Sequence, residues 1–384
     1  MEKVMSSNID DILKSLETGI REFMDSDKYR TYLKAVSKFH DYSSNNIMLI
    51  TMQRPDASLV AGYSTWKNEF KRYVRKGEKG IRIIAPIPVT VEKEKEKVDE
   101  FGNVSMEKVL VTVPKFKAVT VFDVSQTEGQ PLPDISPEML TSEVEDYSGF
   151  LMALEKSSRV PIEYKDVEGE AKGYYSPLAD EIVIQSGMSQ AQTVKTLVHE
   201  MAHSFLHSRM DGGVLVPQKT KEIQAESIAF SVCTHFGIDT SEYTFPYVSA
   251  WSNELDLKTL RDSMDTIRKT SSMLILEIGE NYREICKERS ADELANELTG
   301  FMTRKDAMEY GTGDISQKEA ADSFRMQLMQ GVVADIHTTL REYLRTETDP
   351  EERNNIMALM DKVISFEPDK ENVENERKDK KWER

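Results

Sequence analysis

Two histidines and a glutamate in the segment LVHEMAHSFLH, Leu197 to His207, have the types and spacing of a metal centre. His199 and His203 are four residues apart, so on a helix their rings leave one face about a turn apart and can chelate a single ion, while Glu200 points to the side. Zinc lowers the pKa of a bound water toward about 7, and a neighbouring carboxylate can take its proton and pass it to a leaving amine. Glu200 is therefore the candidate catalytic base of a peptide hydrolysis.

A tetrahedral zinc with catalytic access takes a third protein ligand. The segment KEIQAESIAF, Lys221 to Phe230, offers Glu222 and Glu226, again four apart. We favour Glu222 as ligand and Glu226 as the acceptor for the free nitrogen of a ligand histidine, with the exchanged assignment open. His207 lies eight residues beyond His199, about 80° around an unbroken helix, so it reads as structural or substrate-facing. The spaced pattern HExxHxxGxxH is absent, because Leu206 and Arg209 occupy its later positions. The alternative is an amphipathic helix whose histidines edge the core. Helical phase, a strand-like segment upstream and a glutamate pair downstream favour the metal reading. His40, His235 and His337 have no such neighbours and read as ordinary side chains.

The elements that must position these groups follow from periodicity. Val194, Leu197, Val198, Met201, Ala202, Phe205 and Leu206 recur at helical spacing, and Ser189 with Gln192 has the form of a capping box. A second helix is expected from about 219 to 236, closed by Gly237. Upstream, a helix around 144–154, a strand at 160–164 and a strand or hairpin over 173–185 complete a unit. The N-terminal part reads as helical from about 8 to 53, then as strands at 81–91 and 109–122 joined by a charged hairpin extension carrying Gly102-Asn103. Three prolines between Gln130 and Met139 mark a domain boundary. Beyond Trp251 the chain reads as almost wholly helical, and the charged end from 367 as disordered. The expected class is α+β, divided into residues 1–130, 136–250, a helical region 251–366 and the tail 367–384.

The chain has 384 residues and a net charge of −17, which argues against nonspecific adhesion to nucleic acid by the whole surface. No apolar run is long enough to span a membrane and the N-terminus has no signal-like core, so the expectation is a cytoplasmic protein without a membrane partner. Cys233 and Cys286 show no metal spacing, and Cys233 reads as a core residue. The acidic balance reverses locally. Between Trp66 and Arg82, Lys67, Lys71, Arg72, Arg75, Lys76, Lys79 and Arg82 face only Glu69 and Glu78, with Tyr63, Trp66, Phe70 and Tyr73 interleaved. Cations that track phosphates and rings that stack on bases are what single-stranded DNA binding uses. The alternative is a solvated basic turn with core aromatics.

On HEMAHSFLH followed by KEIQAESIAF, the region from Gly173 to Phe230 resembles the zincin-like metallopeptidases of the ImmA/IrrE group. That group has an amide at the fourth position after its glutamate, where this chain has Glu226. Residues from about 12 to 127 resemble the single-stranded-DNA-binding domain of ArdC-type antirestriction proteins. The resemblance is carried by Ser44-Asn45-Asn46, Gln53-Arg54-Pro55, Gly62-Tyr63, Trp66, the run Val74 to Gly80, and Val121 to Thr127. These resemblances imply a protein of a plasmid or conjugative element with single-stranded DNA and an unnamed protein substrate as partners. They leave two functions open: a DNA-targeted zinc peptidase, or a DNA-binding antirestriction factor whose zincin region is a scaffold.

Overall fold

The computed structural model describes residues 12–98, 104–132, 146–206, 216–309 and 317–366, except 18, 242, 244, 246 and 247. The chain divides into two compact units, Met1–Gly279 and Glu280–Arg384. The class is mixed α+β with a helical C-terminal region. The turn at Gly102-Asn103, the prolines from 133 onward, His207 and the tail from 367 lie outside the described residues.

In the first unit, helical residues 12–17 and 19–22 precede α1 (Ser26–Lys38) and α2 (Ser44–Gln53). The stretch expected to be helical from about 8 to 53 is thus divided into separate helices, and caps explain where. The Asp25 side chain accepts the Asp27 N–H and the Ser43 hydroxyl accepts the Asn46 N–H, each starting a new helix. β1 (Val60–Gly62), α3 (Tyr63–Asn68) and β2 (Arg72–Val74) follow, then the long strands β3 (Ile81–Val98) and β4 (Val104–Asp123), and β5 (Thr127–Gly129). β1, β4 and β3 form an antiparallel sheet in that order, and β2 pairs with β5. The β3–β4 ribbon runs unbroken from Ile81 opposite Val121 to Val98 opposite Val104, further than the strands expected from composition. Its backbone register sets Glu94 opposite Lys108 and Lys95 opposite Glu107.

The outer edge of β3 is closed by side-chain amides. Asn46 donates to Ile84 O (2.8 Å) and accepts from Ile84 N (2.9 Å), while Gln53, two turns on, does the same at Arg82 with both bonds at 2.9 Å. Pro86 and Pro88 continue this parity, where the missing N–H faces away from β4 and removes no ladder bond.

Next come α4 (Tyr147–Ser157), β6 (Ile162–Lys165), β7 (Gly173–Ser176), β8 (Glu181–Gln185), α5 (Gln190–Leu206), α6 (Gln218–His235) and α7 (Val248–Asn253). β8 is central, parallel to β6 and antiparallel to the edge strand β7. Its Ile182, Val183 and Ile184 are fully buried, as a strand covered on both faces requires. α5 buries Val194, Leu197, Val198, Met201 and Ala202, while Phe205 and Leu206 are only half-buried at its end. Its capping box is half formed: Gln192 N–H reaches Ser189 Oγ at 3.3 Å, but the Gln192 amide turns to Thr196. α6 ends as its sequence implies, with Gly237 at φ +72 and Ile238 N–H on Cys233 O at 2.9 Å.

α8 (Leu257–Glu309) carries the chain into the second unit, followed by α9 (Gln317–Met329), α10 (Ala334–Thr346) and α11 (Pro350–Ile364). That unit has its own core, including Leu294, Leu298, Phe301, Leu328, Leu340 and Ile356.

Removing the Asn46 amide leaves the Ile84 backbone pair without its partner. Asn46→Ala is expected to lower the stability of the first unit by about 1–3 kcal/mol, read as a lower urea midpoint in tryptophan fluorescence. An unchanged midpoint would show that water replaces the amide without penalty.

Candidate metal centre

The two helices that carry the candidate ligands lie side by side, and each is fixed from behind. α1 supports α6 through three contacts one turn apart. Tyr29 Oη meets Ser227 Oγ at 2.8 Å, Ser231 Oγ donates to Leu33 O at 3.4 Å, and His235 Nδ1 donates to Ser37 O at 2.8 Å. Tyr29 also packs edge-on against Phe245, which meets Phe230 of α6 in the same way. On α5, a Cβ at Gly173 of β7 would come within 2.8 Å of the Thr196 methyl and of Val183 O, so this position needs glycine for the edge strand to approach the helix. Two residues on, Tyr175 N–H donates to Glu200 Oε2 at 2.8 Å.

His199, His203 and Glu222 each offer one ligand atom, and these atoms lie within 4.8 Å of one another. His199 Nε2 and His203 Nε2 are 3.1 Å apart, and Glu222 Oε2 lies 3.6 Å and 3.5 Å from them. Donors about 2.0–2.1 Å from a tetrahedral ion are separated by about 3.3 Å, so the triangle fits one divalent cation without rearrangement. Glu226 is placed differently. Its Oε2 is 3.2 Å from Nδ1 of His199, the nitrogen on the far side of the ring. Glu222 thus shares the space between the two Nε2 atoms, and Glu226 accepts from behind.

The electrostatics follow from this packing. Burial works against charge on His199, but the Glu222 and Glu226 carboxylates outweigh it and push its pKa up to about 10. His199 and His203 in turn hold Glu222 well below the usual carboxylate range. Burial raises Glu200, with the two imidazoles pulling the other way. Glu200 is 8% exposed, while the Glu222 side chain is 50% exposed. A cavity of about 430 Å³ opens beside the cluster, lined by His199, Glu200 and Glu226 together with Lys195 and Tyr243.

The residues expected to contact DNA are more scattered in their roles. Tyr63 and Tyr73 are exposed by 55% and 52%, and Lys67, Lys71, Lys76 and Lys79 are exposed. Trp66 corrects the expectation: it is fully buried, its indole N–H donates to Phe122 O at 2.9 Å, and it presents no ring face to a base. Arg72 is held by Thr127 Oγ1 at 2.8 Å and by Gln130 O, and Arg75 by Glu78 at 2.7 Å and Ser125 O at 2.6 Å, so both brace the loops around them. Sequence reasoning passed over Tyr175, whose contribution is a backbone N–H, and Lys195 and Tyr243, which only folding brings to the cavity.

Residues 2–122 match the family model of the N-terminal domain of anti-restriction factor ArdC. The match spans the amino-terminal third of the chain. An uncharacterized protein of Bacillus anthracis is 28% identical over 322 residues, covering 74% of this chain and 54% of its own, so the chain spans about half the length of that curated relative. Crystal structures of the antirestriction ArdC protein from the R388 plasmid also match 64% of the chain. The metal-free form is 24% identical with a TM-score of 0.38 over 85% of its length. The Mn(II)-bound form is 21% identical with a TM-score of 0.37 over 84%. No helix among the described residues is long and apolar enough to cross a membrane.

Because His199 is raised to about 10, it carries a proton at neutral pH that a metal must displace. Apparent metal affinity is expected to rise with pH between about 6 and 8, by up to about tenfold per unit, with protons released on binding. Calorimetry in buffers of different ionisation enthalpy reads this directly, and binding without proton release would contradict the pairing.

Proposed function

We propose that the protein is a zinc-dependent peptidase joined to a single-stranded-DNA-binding module, acting in the cytoplasm as an antirestriction or DNA-transfer factor of a mobile element. Residues 1–130 would hold the DNA module, 136–250 a zincin-like peptidase region, and 251–366 a helical region of its own. The observation that carries the peptidase reading is the donor triangle of His199, His203 and Glu222, with edges of 3.1, 3.5 and 3.6 Å and the buried Glu200 on the same helix as both histidines.

Two imidazoles and a carboxylate are a common zinc set, and three protein ligands leave a position for substrate. When bound, the ion supplies Lewis acidity and lowers the pKa of water. The remaining work falls to side chains. Glu200, raised by burial, accepts a proton from the attacking water and returns it to the leaving amine. Tyr175 N–H orients that carboxylate. Glu226 accepts from His199 Nδ1, fixing the tautomer that presents Nε2. On the DNA side, the ArdC-type N-terminal match and the exposed Lys67, Lys71, Lys76 and Lys79 beside Tyr63 and Tyr73 support strand binding by charge and stacking. Trp66 supports that surface from beneath, and Arg72 and Arg75 brace the loops around it.

Metal analysis of the full-length protein is expected to find one zinc per chain. Glu222→Ala should remove it, whereas Glu226→Ala should keep it with affinity reduced by about 10–100-fold. Equal loss in both variants would exchange or merge the two roles. Glu200→Gln should retain zinc while cutting peptide cleavage by about 10²–10⁴-fold. If the same variant protects DNA fully in a restriction challenge, the zincin region serves antirestriction as a scaffold. Reversing Lys67, Lys76 and Lys79 to Glu should weaken single-strand binding and flatten its salt dependence, and an unchanged salt slope would remove these lysines from the interface.

A further inference from the structure

Glu222 presents its two oxygens to different surroundings. Oε2 faces the Nε2 atoms of His199 and His203 at 3.6 and 3.5 Å, while Oε1 accepts a hydrogen bond of 2.5 Å from the side-chain amide of Gln218. Gln218 lies four residues before Glu222 on α6, and residues at that interval are neighbours on a helix surface. The turn that carries it is itself fixed. Buried Thr220 accepts the Trp251 indole N–H of α7 on its Oγ1 at 3.0 Å, and Lys219 pairs with Glu254 at 2.7 Å. Glu226 cannot be held in the same way, because the residue four before it is Glu222, another acceptor.

A carboxylate binds a metal through one oxygen or chelates it through both. Ions that collect six oxygen donors, Mn(II) among them, gain from the second oxygen, whereas a tetrahedral zinc with three protein ligands does not use it. The amide N–H on Oε1 occupies lone pairs that a second bond to the ion would need. Turning the carboxylate to offer both oxygens gives up that hydrogen bond.

We propose that Gln218 is a positioning residue that holds Glu222 to single-oxygen binding, and that it thereby favours zinc over manganese and keeps the fourth position of the ion open. The inference rests on the metal-site reading above and adds how that site selects its ion. Gln218 acts through Glu222 and is not itself a ligand.

Zinc, manganese and cobalt, each titrated into metal-free full-length protein, test this with Gln218→Met, which keeps a side chain of similar length and removes the donor. Co(II) in the unaltered protein is expected to show the intense visible absorption of a four-coordinate ion. In Gln218→Met that absorption should weaken toward the five-coordinate form, and the ratio of zinc to manganese affinity should narrow by about tenfold, the lower end of what a hydrogen bond to a ligand contributes. Gln218→Lys, which restores a donor at this position, should recover the four-coordinate spectrum. A merely structural role would weaken both ions alike and leave their ratio unchanged. A spectrum that stays four-coordinate in Gln218→Met, an unchanged ratio, or no recovery in Gln218→Lys overturns the proposal and leaves the metal site standing. Failure of the unaltered protein to bind any of the three ions refutes the metal-site reading itself, and the role of Gln218 falls with it.

Discussion

The centre depends on the lateral packing of α5 against α6. Neither helix holds a complete ligand set: α5 brings the imidazoles and the buried carboxylate, α6 the two glutamates. Their relative rotation decides which glutamate enters the triangle and which stays behind the ring. α1 fixes that rotation through its turn-by-turn contacts with Ser227, Ser231 and His235, leaving the opposite side of α6 for Glu222 and Glu226. Buried hydrogen bonds of this kind contribute about 1 kcal/mol each, but their larger effect is to specify one register of packing. The N-terminal helices and the helices that carry the candidate ligands accordingly belong to one compact unit, although long stretches of sequence separate them.

Within that frame, three carboxylates of one chemical type take three states. Glu222 is half exposed and paired with two imidazoles, so it stays ionised and available as a donor. Glu200 is buried and raised, which suits a group that must gain and lose a proton. Glu226 reaches the outer nitrogen of His199 and constrains ring orientation. Groups pushed apart by their surroundings can divide acid, base and ligand roles at a single pH.

The N-terminal region that matches the ArdC model shows a similar economy in its loops. Burial opposes charge on Asp123, yet the Ser125 hydroxyl and the N–H groups of Ser58, Ser125 and Leu59 hold its carboxyl below the ordinary range. Gln126 bonds Asp123 N–H, Glu78 and Lys79 O, tying the basic turn after β2 to the end of β4. Asn46 and Gln53 close the edge of β3. Most residues that carry the family likeness are thus occupied in holding the surface, and the exposed lysines around Tyr63 and Tyr73 are what it presents.

By itself, the sequence determined the local elements and the chemistry available. Helical spacing placed His199 and His203 on one face, the apolar stripe oriented α5 toward the core, and Gly237 ended α6, because these depend on neighbours within a few residues. It also supplied two carboxylates at the right interval on the following helix without choosing between them. That choice needed the rotation of α6 against α5, which α1 sets from a distant part of the chain. The same limit explains Trp66: a ring beside lysines looks like a stacking platform until the sheet closes over it and Phe122 takes its N–H. Burial and long-range contact are properties of the packed chain, and they decided which of the available groups face one another.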